Sequence, residues 1–173
     1  DHLRKVIDAA AKLDVPIVGT FVGRDPVRSV PDSFREFRKV WPRLVDHAEQ
    51  RGVKIAIENC PMLFSWDEWP GGTNLASTPA VWDEMFSIVP SESFGLNLDP
   101  SHLVWQFVDC GRAVREFGRH LVHVHAKDER IDRDRLYEVG ALGLGWHVPK
   151  LPGLGDVNWG EFFAALTDAG YSG

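Results

Sequence analysis

Apolar residues alternate with other side chains in several short runs of this chain, and recur at helical spacing between those runs. In residues 53–58, Ile55 and Ile57 share one face of a predicted strand while Ala56 and Glu58 share the other. In 94–99, Leu96 and Leu98 oppose Asn97 and Asp99, and in 121–125, Val122 and Val124 oppose His123 and His125. A β-rich run over 15–22, closed by Gly23, predicts one strand more. Helical spacing of Leu3, Val6, Ile7, Ala10 and Leu13 predicts a helix over 2–13. Ser33 with Glu36 reads as a capping box that opens a helical region to about Gln50, in which Pro42 predicts a kink or two short helices. Thr78-Pro79 starts a helix to about Val89, 101–109 and 111–118 read as two short helices, and Asn158 with Glu161 opens a last one.

Two segments break this rhythm. The loop 59–77 holds Pro61, Trp66, Trp69, Pro70, Gly71 and Gly72, and its length and aromatic content mark it as functional. Residues 126–157 read as irregular, Gly-rich and charged, with a fifth, degenerate strand around 149–154.

Strand followed by helix, repeated without a hairpin signal, predicts an α/β chain of parallel strands with helical crossovers. A (β/α)8 TIM barrel takes about 250 residues, whereas this chain has 173. Residues 1–173 are therefore expected to form a single domain, an incomplete barrel lacking early βα units and the last strand. The alternative is a smaller doubly wound domain, for which no Gly-rich phosphate fingerprint is present.

A formal net charge of −6 argues against an electrostatic grip on nucleic acid. No apolar run approaches the roughly 18 residues of a membrane span, and no signal peptide opens the sequence. Two cysteines, Cys60 and Cys110, suggest reduced thiols and a cytoplasmic enzyme.

Three predicted strands end in groups that bind metals: Glu58, Asp99 and His125. Each has parity opposite to its aliphatic neighbours, and each stands at a carboxyl end, where barrel enzymes place their sites. Alone, Asp99 also reads as a helix cap. Together, two carboxylates and an imidazole suit a divalent ion of the Mn, Mg, Co or Zn type. His102, one helical turn after Asp99, is a further site candidate. Lys127 and Asp128 are candidates to bind substrate hydroxyls or a phosphate. Asn59 and Trp105 are weaker candidates and His147 weaker still, while His123 reads as lying one layer deeper. The run 130–135 alternates Arg with Asp and reads as a solvated face.

The stretches Ile55-Ala56-Ile57-Glu58-Asn59, Leu98-Asp99-Pro100-Ser101-His102, His123-Val124-His125-Ala126-Lys127-Asp128, residues 152–159 and Gly170-Tyr171-Ser172-Gly173 carry a resemblance. In order and spacing, the chain resembles the xylose isomerase-like TIM-barrel enzymes, the sugar phosphate isomerases and epimerases. The resemblance implies metal ligands at Glu58, Asp99 and His125, an acid/base role for Glu58, and a substrate contact or metal-adjacent place for His102. It also implies a fourth ligand, a Glu ending the strand after Gly-Tyr-Ser-Gly. This sequence stops before that position, so weaker metal binding is expected of the chain by itself. The implied activity is metal-dependent isomerisation or epimerisation of a keto sugar or polyol through an enediolate. Alternatives are an inosose-type dehydratase, an endonuclease IV-like phosphodiesterase, and a non-catalytic sugar-binding barrel. The expected partner is a small-molecule sugar or polyol, with no nucleic acid and no membrane, and homo-oligomerisation stays open.

Overall fold

The computed structural model describes residues 1–63 and 72–173. Trp66, Trp69, Pro70 and Gly71, singled out above, lie outside the described residues.

Four parallel strands form the main sheet in chain order: β1 (Ile17–Thr20), β2 (Lys54–Glu58), β3 (Phe94–Leu98) and β4 (Leu121–Val124). Helices return the chain between them: α1 (His2–Lys12) precedes β1, and α2 (Val30–Glu49) and α3 (Pro79–Ile88) follow β1 and β2. The short α4 (Ser101–Val104), α5 (Cys110–Phe117) and a 3-10 turn at 118–120 carry it from β3 to β4. The register pairs Thr20 with Ile57, Glu58 with Asn97, and Leu98 with Val124, so the carboxyl ends lie level. Among the described residues, no helix is long and apolar enough to cross a membrane.

The alternation read from the sequence matches the packing. Ile55, Ile57, Leu96 and Leu98 are fully buried in one apolar cluster with Phe34 and Trp82 from the helices. Phe94 is the hub of an aromatic group, with Phe37, Trp41 and Phe86 at centroid distances of 6.2, 5.5 and 5.7 Å. The opposite parity is left for polar groups. Gly95 lets β3 approach the turn before β4, because an added Cβ would lie 2.3 Å from the His120 carbonyl oxygen. Gly95→Ala is therefore expected to lower stability by about 1–3 kcal/mol through overpacking against backbone. Urea unfolding measures it, and an unchanged midpoint would count against that contact.

Several expectations are corrected. Residues 126–157 are not irregular: β5 (Asp128–Ile131) pairs antiparallel with β6 (His147–Lys150), flanking α6 (Arg133–Val139). The expected fifth strand around 149–154 is thus β6, shifted earlier and outside the parallel sheet. No period-two apolar pattern marks this hairpin, because two of its buried positions are the carboxylates Asp128 and Glu129. The cap of α2 is Ser29, whose Oγ accepts from the Asp32 amide at 3.2 Å, whereas the Ser33 hydroxyl donates to the Ser29 carbonyl. Pro42 sits inside α2, which continues as one element of 20 residues. His123 is exposed and meets His125 edge-on at 5.7 Å. The last helix, α7 (Trp159–Asp168), starts at Asn158 as expected, its side chain accepting from the Glu161 amide.

Candidate metal centre

Glu58 closes β2, Asp99 follows β3, and His125 follows β4, so sheet register brings three separate segments to one rim. Each offers one ligand atom, and these atoms lie within 4.8 Å of one another. His125 Nδ1 is 3.9 Å from Glu58 Oε2 and 3.9 Å from Asp99 Oδ2. The other nitrogen of His125 lies 3.0 Å from Asn97 Nδ2, which fixes the ring from within the sheet.

Asp99 performs two tasks with its two oxygens. Oδ1 accepts from the Ser101 amide at 2.9 Å and the Ser101 hydroxyl at 2.6 Å, so it does hold the start of α4. Oδ2 is buried without a hydrogen-bond partner and faces the ring nitrogens. His102 Nε2 and Lys127 Nζ stand off from it at 3.4 and 3.8 Å, and a buried carboxylate oxygen without a hydrogen bond is costly unless a cation comes closer. This orphaned oxygen, the mixed oxygen and nitrogen donors and their convergence fit a divalent ion.

Two buried amides hold the rim in place. Asn59 pairs with the backbone of Asp99, donating from Nδ2 to its carbonyl at 3.0 Å and accepting its amide at Oδ1 at 2.8 Å. Asn59 thus extends the sheet by one side chain and turns away from a substrate contact. Asn74 accepts the Val22 amide and donates to the Glu58 and Cys60 carbonyls at 2.8 and 2.6 Å.

His102 enters from α4. Its Nε2 is 3.5 Å from Glu58 Oε1, 3.4 Å from Asp99 Oδ2 and 3.4 Å from Lys127 Nζ. Burial pulls its pKa down, but hydrogen bonds to Cys60 and Glu58 and the charge of Asp99 outweigh it and lift the imidazole to about 9. The His102 hydrogen bond, stronger than the opposing burial and helped by His125 and Lys127, lowers the Glu58 pKa. Glu58 is accordingly ionised at neutral pH. Lys127 is also 3.8 Å from Asp99 Oδ2, at the open side of the cluster.

Trp105 borders the centre rather than entering it. Its indole N–H points at His102 Nδ1 at 3.4 Å, and its face stacks on His147 at 4.7 Å. His147 in turn is held by buried Glu129 at 2.8 Å, so the β5–β6 hairpin braces the wall behind His102.

Asp128 lies elsewhere. It is fully buried and accepts from the amides of Glu129, Gly153, Gly155 and Val157 and from the Trp159 indole N–H, at 2.8–3.0 Å. Both oxygens are committed to folding 153–159, which leaves none for substrate. Burial raises its pKa, yet the Trp159, Val157, Glu129 and Gly155 donors outweigh that and leave the carboxyl below its ordinary value.

Three residues here escaped the sequence reading: Asn97, Asn74 and Cys60. Asn97 and Cys60 had a usable signal, standing two residues from Asp99 and Glu58 and so on the same parity. Asn74 had none, because it acts across loops distant in sequence.

The family profile of the xylose isomerase-like TIM barrel matches residues 1–173. Protein YfiH of Bacillus subtilis is 35% identical over an alignment covering 77% of this chain and 42% of that protein. An inosose dehydratase of Clostridium perfringens is 27% identical, over 77% of this chain and 45% of its own length. The chain thus spans less than half the length of these relatives. Among solved structures, the IOLI protein with a bound zinc atom superposes with a TM-score of 0.74 at 19% identity, covering 99% of this chain and 56% of that one. An L-ribulose 3-epimerase gives 0.72 at 20% identity, covering 98% of this chain and 50% of its own. At those identities the structures speak for the fold, whereas the profile spans the whole sequence. The chain belongs to the xylose isomerase-like TIM barrel family.

Proposed function

We propose that the protein is a metal-dependent isomerase or epimerase of a keto sugar or related polyol. The observation that carries this reading is the meeting of Glu58, Asp99 and His125 around the orphaned Asp99 Oδ2. Glu58, Asp99 and His125 would hold a divalent cation, which would supply Lewis-acid stabilisation of negative charge on the substrate oxygens. The chain's own groups do the rest. Glu58, ionised and half-buried at the strand end, accepts a proton from the carbon beside the carbonyl and, in an isomerisation, delivers it to the adjacent carbon, whereas inversion of a stereocentre takes a second acid on the opposite face of the substrate. His102 and Lys127 face the same space and are placed to donate to substrate oxygens. Asn97 and Asn59 hold His125 and Asp99 in position. The L-ribulose 3-epimerase fold neighbour and the zinc in the IOLI structure support the substrate class and a divalent ion.

Dehydration of an inosose-type substrate is the second reading, favoured by the inosose dehydratase among the relatives. It uses the same proton abstraction followed by loss of a hydroxyl group. We place the protein in the cytoplasm, where the free thiols of Cys60 and Cys110 would stay reduced.

The test is solvent-deuterium exchange by the full-length protein at the carbon beside the carbonyl, across a panel of keto sugars and an inosose. Exchange is expected with at least one substrate. It should fall to background after chelation and return with Mn²⁺. Retention of full exchange after complete metal removal would sink the metal-dependent reading, and silence across the panel would favour a non-catalytic barrel.

A further inference from the structure

The centre contains a second donor set that overlaps the first and adds Cys60, which the chemistry above leaves unused. Glu58, Cys60 and His102 each offer a ligand atom, and these atoms also lie within 4.8 Å of one another. Cys60 stands two residues beyond Glu58, and strand-like parity turns both side chains to one side. Asn74 Nδ2 holds the carbonyls of both, so one buried amide sets the two donors relative to each other. His102 Nε2 lies 3.5 Å from Glu58 Oε1, a separation suited to neighbouring ligands of one tetrahedral ion. The two sets adjoin: Asp99 Oδ2, on a side chain 1% exposed and without a hydrogen bond, borders the same space 3.4 Å from that nitrogen.

We propose that Glu58, Cys60 and His102 form a second cation site, of the zinc class, which shares the Glu58 carboxylate with the Glu58–Asp99–His125 set and, when filled, occupies the Glu58 oxygen that would otherwise act as base. Donor chemistry gives the class. A thiolate and an imidazole suit a borderline-soft ion such as Zn²⁺, whereas two carboxylates and one imidazole also accept the harder Mn²⁺ and Mg²⁺. Two groups oppose occupancy and must give way. Lys127 Nζ faces the same nitrogen at 3.4 Å, and its side chain is 38% exposed and free to swing outward. The Trp105 indole N–H faces Nδ1, which must carry the ring proton when Nε2 binds an ion. That 3.4 Å contact is longer than a firm hydrogen bond.

Titration of the metal-free protein with Co²⁺ tests the assignment without any need for turnover. A thiolate-to-cobalt charge-transfer band is expected in the near ultraviolet, and Zn²⁺ should bind at about two equivalents per chain. Cys60→Ser should abolish the band and remove one equivalent. Cys110→Ser should leave the band intact, because burial pushes the Cys110 thiol up to about 12. Asp99→Asn, which keeps an oxygen for Ser101, should lose the other equivalent and retain the band. This variant separates failure of the first centre from failure of the second. Absence of the band in the unmodified protein, or its persistence in Cys60→Ser, would overturn the proposal.

Discussion

Glu58→Gln in the full-length protein is expected to lower turnover by about 10²–10⁴-fold at saturating metal. The substitution keeps the shape of the side chain and an oxygen for the His102 hydrogen bond. It removes the negative charge that the proposed proton transfer and cation binding both require. Two readouts separate these losses: metal affinity reports the ligand, and turnover at saturation reports the base. A second consequence appears in the metal-free protein. His102 is lifted to about 9 in part by Glu58, so its pKa should fall in the variant, which an NMR titration follows. Because the folded value lies above the ordinary 6.5, His102 stabilises the metal-free fold fully below about 6.5. That contribution fades as pH rises through about 9, and the variant should lose the part of the dependence that Glu58 supplies, Cys60 and Asp99 supplying the rest. Turnover equal to that of the unmodified protein would remove Glu58 from the mechanism.

Asp128→Asn is expected to cost about 3–5 kcal/mol, because a buried charged acceptor of several hydrogen bonds is replaced by a group that must present donors to donors. Four backbone amides and the Trp159 indole converge on its two oxygens, and an Asn amide can satisfy only one side. Gly155 tightens the constraint, since a Cβ there would lie 2.3 Å from Asp128 Oδ1. The pH sign follows from the lowered pKa. The native contribution is complete above the ordinary carboxyl value of 3.8 and is lost as pH falls through the lower folded value. Urea unfolding of both proteins at neutral and acid pH reads the effect. A loss below about 1 kcal/mol would contradict a structural role of this size.

Asp128 also illustrates where reading the sequence went astray. It follows His125 and Lys127 closely, and proximity along the chain suggested a shared site. Four of its five donors are instead 25 to 31 residues away, in a segment without apolar periodicity. Asn59 misled in the same way: it adjoins Glu58, but its amide is spent on the backbone of Asp99, 40 residues on. Ser29 capped the helix assigned to Ser33 because both offer hydroxyls within a turn of Val30, and Pro31 in the first turn decides between them.

By itself the sequence determined the parallel βα order, the split between an apolar face and a polar rim, and the positions of Glu58, Asp99 and His125 on that rim. These follow from the two-residue period of a strand, a local property that needs no knowledge of neighbours. Only the tertiary structure decided which of those groups meet, that Cys60 and Asn97 join them, and that Asp128 belongs to a loop. Strand register, loop closure and the sharing of buried hydrogen bonds link residues far apart in the chain, and no local pattern encodes them.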